Sequence, residues 1–172
     1  NLLKHFNSYT TFGTETAVVG LTTGFTMYSL YRVSISGLTS TPIARWYGGN
    51  QLNFGLSIGN LNDETFFLQT TAGRVSVPAT TTDGTTAPRL TTVRYDGATL
   101  SIQVAEATVS IPVTGNVSLP NGQCRIGRGS SGNNGIRSYL SEMLICDRAH
   151  SPAEVAEMQG YFTLKYGLPD YT

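Results

Sequence analysis

The chain has 172 residues, a length that suits one domain with one core and needs neither a metal nor a disulfide to bury it. Eleven basic and eleven acidic residues cancel, which removes the field expected of a general nucleic-acid or anionic-membrane binder. No apolar run reaches the length of a bilayer span, so neither nucleic acid nor membrane insertion is expected of it. Charged residues make up only 13%, and Thr, Ser, Asn, Gln and 19 Gly carry the polar character, so the surface should be rich in hydroxyls and amides. The opening NLLKHFNSYTTFG lacks the apolar stretch and cleavage site of a signal peptide and has no initiator Met, as expected of a piece of something longer.

Residues 1 to 13 read as an irregular leading arm, with Leu2, Leu3, Phe6, Tyr9 and Phe12 available to pack on the body. A short β-branched run over 16–21 follows. Residues 25 to 36 alternate, with Phe25, Met27, Tyr31, Val33 and Ile35 on one face. Thr26, Tyr28, Leu30, Arg32 and Ser34 make the other face mixed rather than polar, the mark of a central strand covered on both sides. Strands over 43–47 and 52–58 flank the turn Gly48-Gly49-Asn50, and strands over 65–70 and 74–77 flank Ala72-Gly73. The stretch 78–88 is Thr-rich and reads as a loop. Strands over 90–95 and 99–104 flank Asp96-Gly97, a strong two-residue hairpin signal. Pro112 places the strand over 108–113 at an edge or a strand end. Strands over 123–127 and 138–147 enclose the loop RGSSGNNG.

One helix is predicted, over 151–167. Ser151 supplies an N-cap oxygen, Pro152 needs no backbone N–H at the first helical position, and Glu154 completes a capping box. Val155, Met158, Phe162 and Tyr166 share one face and should seal the sandwich, and Gly167 supplies the left-handed stop. Roughly ten to twelve short strands at regular spacing, with one closing helix, indicate an all-β fold: a single antiparallel β-sandwich of the jelly-roll kind. Cys124 and Cys146 lie in apolar strand contexts on either side of a Gly-rich stretch. Either they bridge across a hairpin or they stay as two buried thiols.

The tail carries a family resemblance. Leu140, Ser141, Glu142, Met143, Ile145, Asp147, Arg148, Ala149, Ser151 and Glu154, followed by Tyr161, Phe162, Lys165, Tyr166, Gly167 and Leu168, resemble the closing strand, D-R corner and capped helix of the concanavalin A-like superfamily. The pattern is that of its laminin-G-like branch, found in bacterial and phage surface proteins. His150 stands where that branch usually has Leu, and Cys146 where Tyr or Asn is usual. Gly24-Phe25-Thr26, Val93-Arg94-Tyr95-Asp96-Gly97 and Arg125-Ile126-Gly127 resemble weaker landmarks of the same fold. The resemblance implies two curved antiparallel sheets with loops at one rim. It does not imply one function, since members bind glycans, proteins or lipids, build surface and phage components, or act as glucanases.

Glucanases of this fold pair a general acid with a nucleophile on one strand face, at a separation of about 5 Å. No strand here carries that spacing, because Asp63 and Glu64 are adjacent and point to opposite faces. Glu142 and Asp147 read as anchors of the last strand and corner. His5 and His150 are the only histidines, and no nucleophile elbow accompanies them, so no catalytic role is expected. No cofactor is expected either, although the resemblance leaves room for Ca²⁺ at a rim through Asp63 or Asp83. Arg45, Trp46, Tyr47 and Asn50 place the only Trp at a strand end beside a Gly-rich turn. That suits sugar stacking and hydrogen bonding, as it also suits a core Trp. Arg125, Arg128, Asn133, Asn134 and Arg137 make either a locally basic rim fit for a carboxylate, a sulfate or an acidic surface, or an ordinary solvated loop. The expected function is a non-catalytic module that recognises a glycan or protein receptor from an extracellular or virion surface. The alternative is a structural subunit of a phage tail, fibre or capsid that contacts other proteins, with a glycoside hydrolase as the remotest reading.

Overall fold

In the computed structural model the described residues are 4–5, 10–14, 23–33, 41–48, 51–59, 63–80, 87–117, 122–126 and 138–169. They form twelve strands and one helix in two six-stranded sheets, and every strand pairing is antiparallel. The first sheet runs, edge to edge, through β1 (Lys4–His5), β12 (Ser138–Cys146), β3 (Phe25–Val33), β8 (Arg89–Tyr95), β9 (Thr99–Val104) and β10 (Ala107–Pro112). The second runs through β2 (Thr10–Thr14), β11 (Gly122–Ile126), β4 (Thr41–Gly48), β5 (Gln51–Gly59), β6 (Asp63–Thr70) and β7 (Gly73–Thr80). The all-β sandwich with one C-terminal helix is therefore observed. The strand expected over 16–21 lies outside the described residues.

The core lies between the sheets. Phe25, Met27 and Tyr31 on β3, with Val93 and Tyr95 on β8 and Leu100, Ile102 and Val104 on β9, face Leu56, Phe66, Leu68, Val77 and Ala79 of the second sheet. The Phe25 and Phe66 rings meet across the layers with centroids 5.8 Å apart. One polar island is buried among them. Glu64 on β6 accepts a hydrogen bond from the Thr91 hydroxyl, Tyr31 bonds Thr91 at 3.0 Å, and Arg89 stands 3.9 Å from Glu64. Burial, and after it the charge of Glu64, keep the Tyr31 hydroxyl protonated well above its ordinary range.

β3 is central, as its double-sided pattern implies. Its alternate residues Tyr28 and Leu30 face outward and join Leu90, Phe162 and Leu168 in a second cluster under the helix. That helix, α1 (Pro152–Tyr166), starts and stops where its sequence says. The Ser151 hydroxyl accepts from the Glu154 N–H, the Glu154 carboxylate accepts from the Ser151 N–H, and Gly167 takes φ 65°. Phe162 is fully buried, while Met158, Tyr166 and Val155 are half-buried. The helix covers the outer face of the first sheet rather than sealing the gap between the sheets, because its apolar stripe meets Tyr28, Leu30 and Leu90 and not the inter-sheet core.

Four expectations need correction. The leading arm, expected to be irregular, supplies an edge strand to each sheet: Lys4 pairs with Leu140 and Thr11 with Arg125. Two-residue β1 is too short to show a period, and Gly13 interrupts the β-branched signal of β2. The Thr-rich stretch is not all loop, since β7 continues through Pro78 to Thr80. An edge strand tolerates a residue with no N–H to give. The hairpin after β8 turns one residue later than Asp96-Gly97: Asp96 N–H donates to the Thr99 carbonyl, so Gly97 and Ala98 are central. Gly97 takes φ 93° there, and the Asp96 carboxylate caps the Ala98 and Thr99 amides. Finally, β11 and β12 do not form a hairpin. They belong to different sheets and Cys146 is a free thiol, so the bridged alternative falls away.

Candidate functional site

The two sheets are unequal on their outer sides. The first carries α1, whereas the second is open where it is described. Along β6, Glu64, Phe66, Leu68 and Thr70 are buried, and Thr65, Phe67 and Gln69 between them are half-exposed. On the neighbouring edge strand Arg74, Ser76 and Pro78 are exposed. No described element covers these positions, so along β6 and β7 this face is open.

Strand order decides what gathers on it. Thr11 stands opposite Arg125, Arg125 opposite Arg45, Arg45 opposite Gly55, Gly55 opposite Phe67, and Phe67 opposite Ser76. One cross-strand row thus crosses all six strands, in the same phase as the half-exposed Phe67. It unites two groups that sequence reading kept apart, the Arg45-Trp46-Tyr47 stretch and the basic segment that includes Arg125. Tyr47 stands opposite Gln123 two residues along the same strand. Trp46 occupies the adjoining row, which runs from Cys124 through Phe54 to the core residue Leu68. Asn50, Arg128, Asn133, Asn134 and Arg137 lie outside the described residues, as does Asp83. Asp63 opens β6 opposite Gly59 and Thr80. Among the described residues no group of three or more His, Cys, Asp or Glu side chains comes together as a metal site would require.

The row holds two residues that sequence reading missed. Phe67 sits inside Phe66-Phe67-Leu68, an apolar run that breaks the alternation of a one-sided strand, and this was the available signal. Gly55 stands between Arg45 and Phe67 in this row and is itself buried. Strands lie about 4.8 Å apart, so the backbones at Arg45 and Phe67 are separated by roughly 10 Å.

The remaining polar clusters are structural. Glu142 on β12 accepts hydrogen bonds from Lys165 at 2.9 Å, Tyr166 at 2.9 Å and Tyr161 at 3.2 Å, and so ties the last turns of α1 to the final strand rather than holding the corner. Burial raises its pKa, but these hydrogen bonds and the Lys165 charge outweigh burial and hold the carboxyl below its ordinary value. His150 is a packing residue. Its Nδ1 lies 2.9 Å from the Tyr28 hydroxyl, and its N–H donates to Thr26. Arg148 pairs with Glu154 through two hydrogen bonds at the corner. Cys146 packs half-buried under the helix, and burial pushes its thiol up, away from the reactive thiolate.

No family model and no curated protein matches the chain. Solved structures do match its fold. The binding domain of botulinum neurotoxin DC in complex with SialylT superposes with a TM-score of 0.69 at 14% identity, over 92% of this chain and 40% of that one. The same domain in complex with rat synaptotagmin II gives 0.68 at 13%, over 87% and 38%. Neurotoxin type C, which depends on two ganglioside molecules to enter cells, gives 0.64 at 15%, over 83% and 36%. The chain therefore spans about two fifths of the length of these binding domains, and at such identities the likeness is one of fold.

Proposed function

We propose that the chain is a non-catalytic binding module, and that the outer face of its second sheet recognises a glycan bearing a carboxylate or sulfate on an extracellular or virion-borne surface. The observation that carries this reading is the register of Arg45 against Arg125. Like charges directly opposite one another destabilise a sheet, and an anion bound between them reverses the sign of that term. Guanidinium groups suit the planar, bidentate anions of acidic sugars. Further along the row the half-exposed Phe67 offers an aromatic face for the C–H side of a sugar ring. The neurotoxin binding domains of similar fold, whose partners are a sialyl compound, gangliosides and synaptotagmin, support a recognition role without assigning this face to it.

Calorimetric titration with acidic glycans, matched against neutral counterparts, tests the reading. Binding of the acidic set should weaken at least tenfold in Arg45→Ala and in Arg125→Ala, weaken in Phe67→Ala, and fall with added salt. An absence of binding across acidic and neutral glycans, together with concentration-dependent self-association in sedimentation, would replace this reading with that of a subunit built into a particle.

A further inference from the structure

A second recess lies on the opposite side of the molecule, where α1 covers only part of the first sheet. Beyond the helix the outward positions of β8, β9 and β10 form two rows. Thr92 stands opposite Gln103 and Gln103 opposite Thr108, and Arg94 stands opposite Ser101. The N-terminal half of α1 rises beside them as a wall, and the cleft between wall and sheet has a volume of about 300 Å³. Its floor is made of hydroxyls and amides, and its helical side of Pro152, Val155 and Ala156, with the Gln159 side chain between the two.

Two observations distinguish this cleft from an ordinary surface crease. Thr92 is 4% exposed, and its hydroxyl lacks a hydrogen-bond partner among the described residues. A buried hydroxyl in that state is destabilising, and a polar group bound in the cleft would supply the partner it lacks. Gln159 is 6% exposed although it projects from a helix face that is otherwise apolar where buried. It occupies the border where Phe162 gives way to the cleft. The charge of the site is also one-sided. Arg94 donates through Nε to the His150 carbonyl and through Nη1 to Asp96, which fixes its guanidinium at the rim, and among the described residues no carboxylate lines the recess.

We infer that this cleft is a binding site for a single sugar unit, free or as the end of a glycan. A pyranose has an edge of hydroxyls and a face of C–H groups, and the cleft offers the complement: Thr92, Gln103, Thr108 and Gln159 on one side, and the small apolar residues of α1 on the other. The volume stands at the lower end of ligand pockets, which fits one ring and not a longer chain. The site lies on the sheet opposite to the Arg45–Arg125 face and stands independently of it.

Saturation-transfer NMR on the intact chain, with methyl glycosides of glucose, galactose, N-acetylglucosamine and mannose as probes, tests the inference. At least one glycoside should bind with a Kd on the order of 1 mM. Thr108→Trp, an exposed position where an indole would fill the recess, should weaken it at least tenfold, and so should the pair Gln103→Ala with Gln159→Ala. Leu164→Ala, at an exposed position outside the recess, should leave it unchanged, and thermal melts of each variant establish that it is folded. Absence of binding by all four glycosides overturns the inference, as does binding that survives Thr108→Trp. A signal lost in the Arg45 and Arg125 variants but kept in Thr108→Trp also overturns it, and assigns the sugar to the second sheet instead.

Discussion

The Tyr28 hydroxyl on β3 and Nδ1 of His150 share a buried hydrogen bond of 2.9 Å that ties a central strand to the corner ahead of α1. Thr26 reinforces the joint, donating to the Arg148 carbonyl and accepting from the His150 N–H. Removing the phenol oxygen leaves a buried ring nitrogen without its partner. Tyr28→Phe should therefore lose about 1 to 3 kcal/mol in urea unfolding, although it adds no cavity to speak of.

Phe162 and Leu164 make a sharper contrast than their composition suggests. Phe162 is fully buried against Tyr28, with centroids 6.1 Å apart, whereas Leu164 is 89% exposed two residues on. Phe162→Ala should cost about 3 to 5 kcal/mol, while Leu164→Ala should stay within about 0.5 kcal/mol of the parent. Equal losses from both in chemical denaturation would show that α1 does not pack on β3 as described.

Acid should loosen the helix end before it unfolds the core. Glu142 has a folded pKa below its ordinary value of 4.5, so its contribution is complete above that value and is lost as pH falls through the lower, folded one. Glu142→Gln should flatten the stability–pH curve below about pH 4.5 and leave its shape above that pH unchanged. Urea midpoints measured from neutral pH down to pH 2 would read this directly.

Glu64 offers the largest single effect outside the aromatic core. It is fully buried, receives the Thr91 hydroxyl and lies 3.9 Å from Arg89, itself almost wholly buried. Glu64→Ala removes a buried negative charge from beside the guanidinium and should cost about 3 to 5 kcal/mol. The double variant Glu64→Leu with Arg89→Met should recover much of that loss, since apolar pairs often replace buried ion pairs without penalty. A double variant no more stable than Glu64→Ala would show that the charges matter less than the shape of the pocket.

Features written into neighbouring residues were legible from the sequence. The capping box of Ser151 and Glu154, the stop at Gly167 and the two-faced alternation of β3 all appear where local chemistry puts them. What could not be read were relationships between distant segments. β11 and β12 follow one another in the chain but go to different sheets, and the reading of Cys124 and Cys146 as hairpin neighbours failed for that reason. Arg45 and Arg125 were each singled out, yet nothing local shows that they meet, because only strand order brings them together. Phe67 and Gly55 read as ordinary strand residues until their row is known. The cleft beside α1 depends on how far the helix reaches across its sheet, a matter of packing that no periodicity encodes.

The pairing of β12 with β3 has a kinetic consequence. Cys146 stands opposite Thr26 and Ser138 opposite Val33, so the central strand of the first sheet gains one of its two neighbours only from the far end of the chain. β1 in turn hangs on β12, and α1 has no floor until β3 is in place. Closing loops of that length must precede the contacts that reward it, which puts folding in the range of milliseconds to seconds typical of β-sandwiches. During synthesis the outward side of β3, with Tyr28 and Leu30, must wait uncovered until β12 and α1 emerge. Truncation before Ser138 should thus yield a sticky, collapsed chain rather than a smaller sandwich.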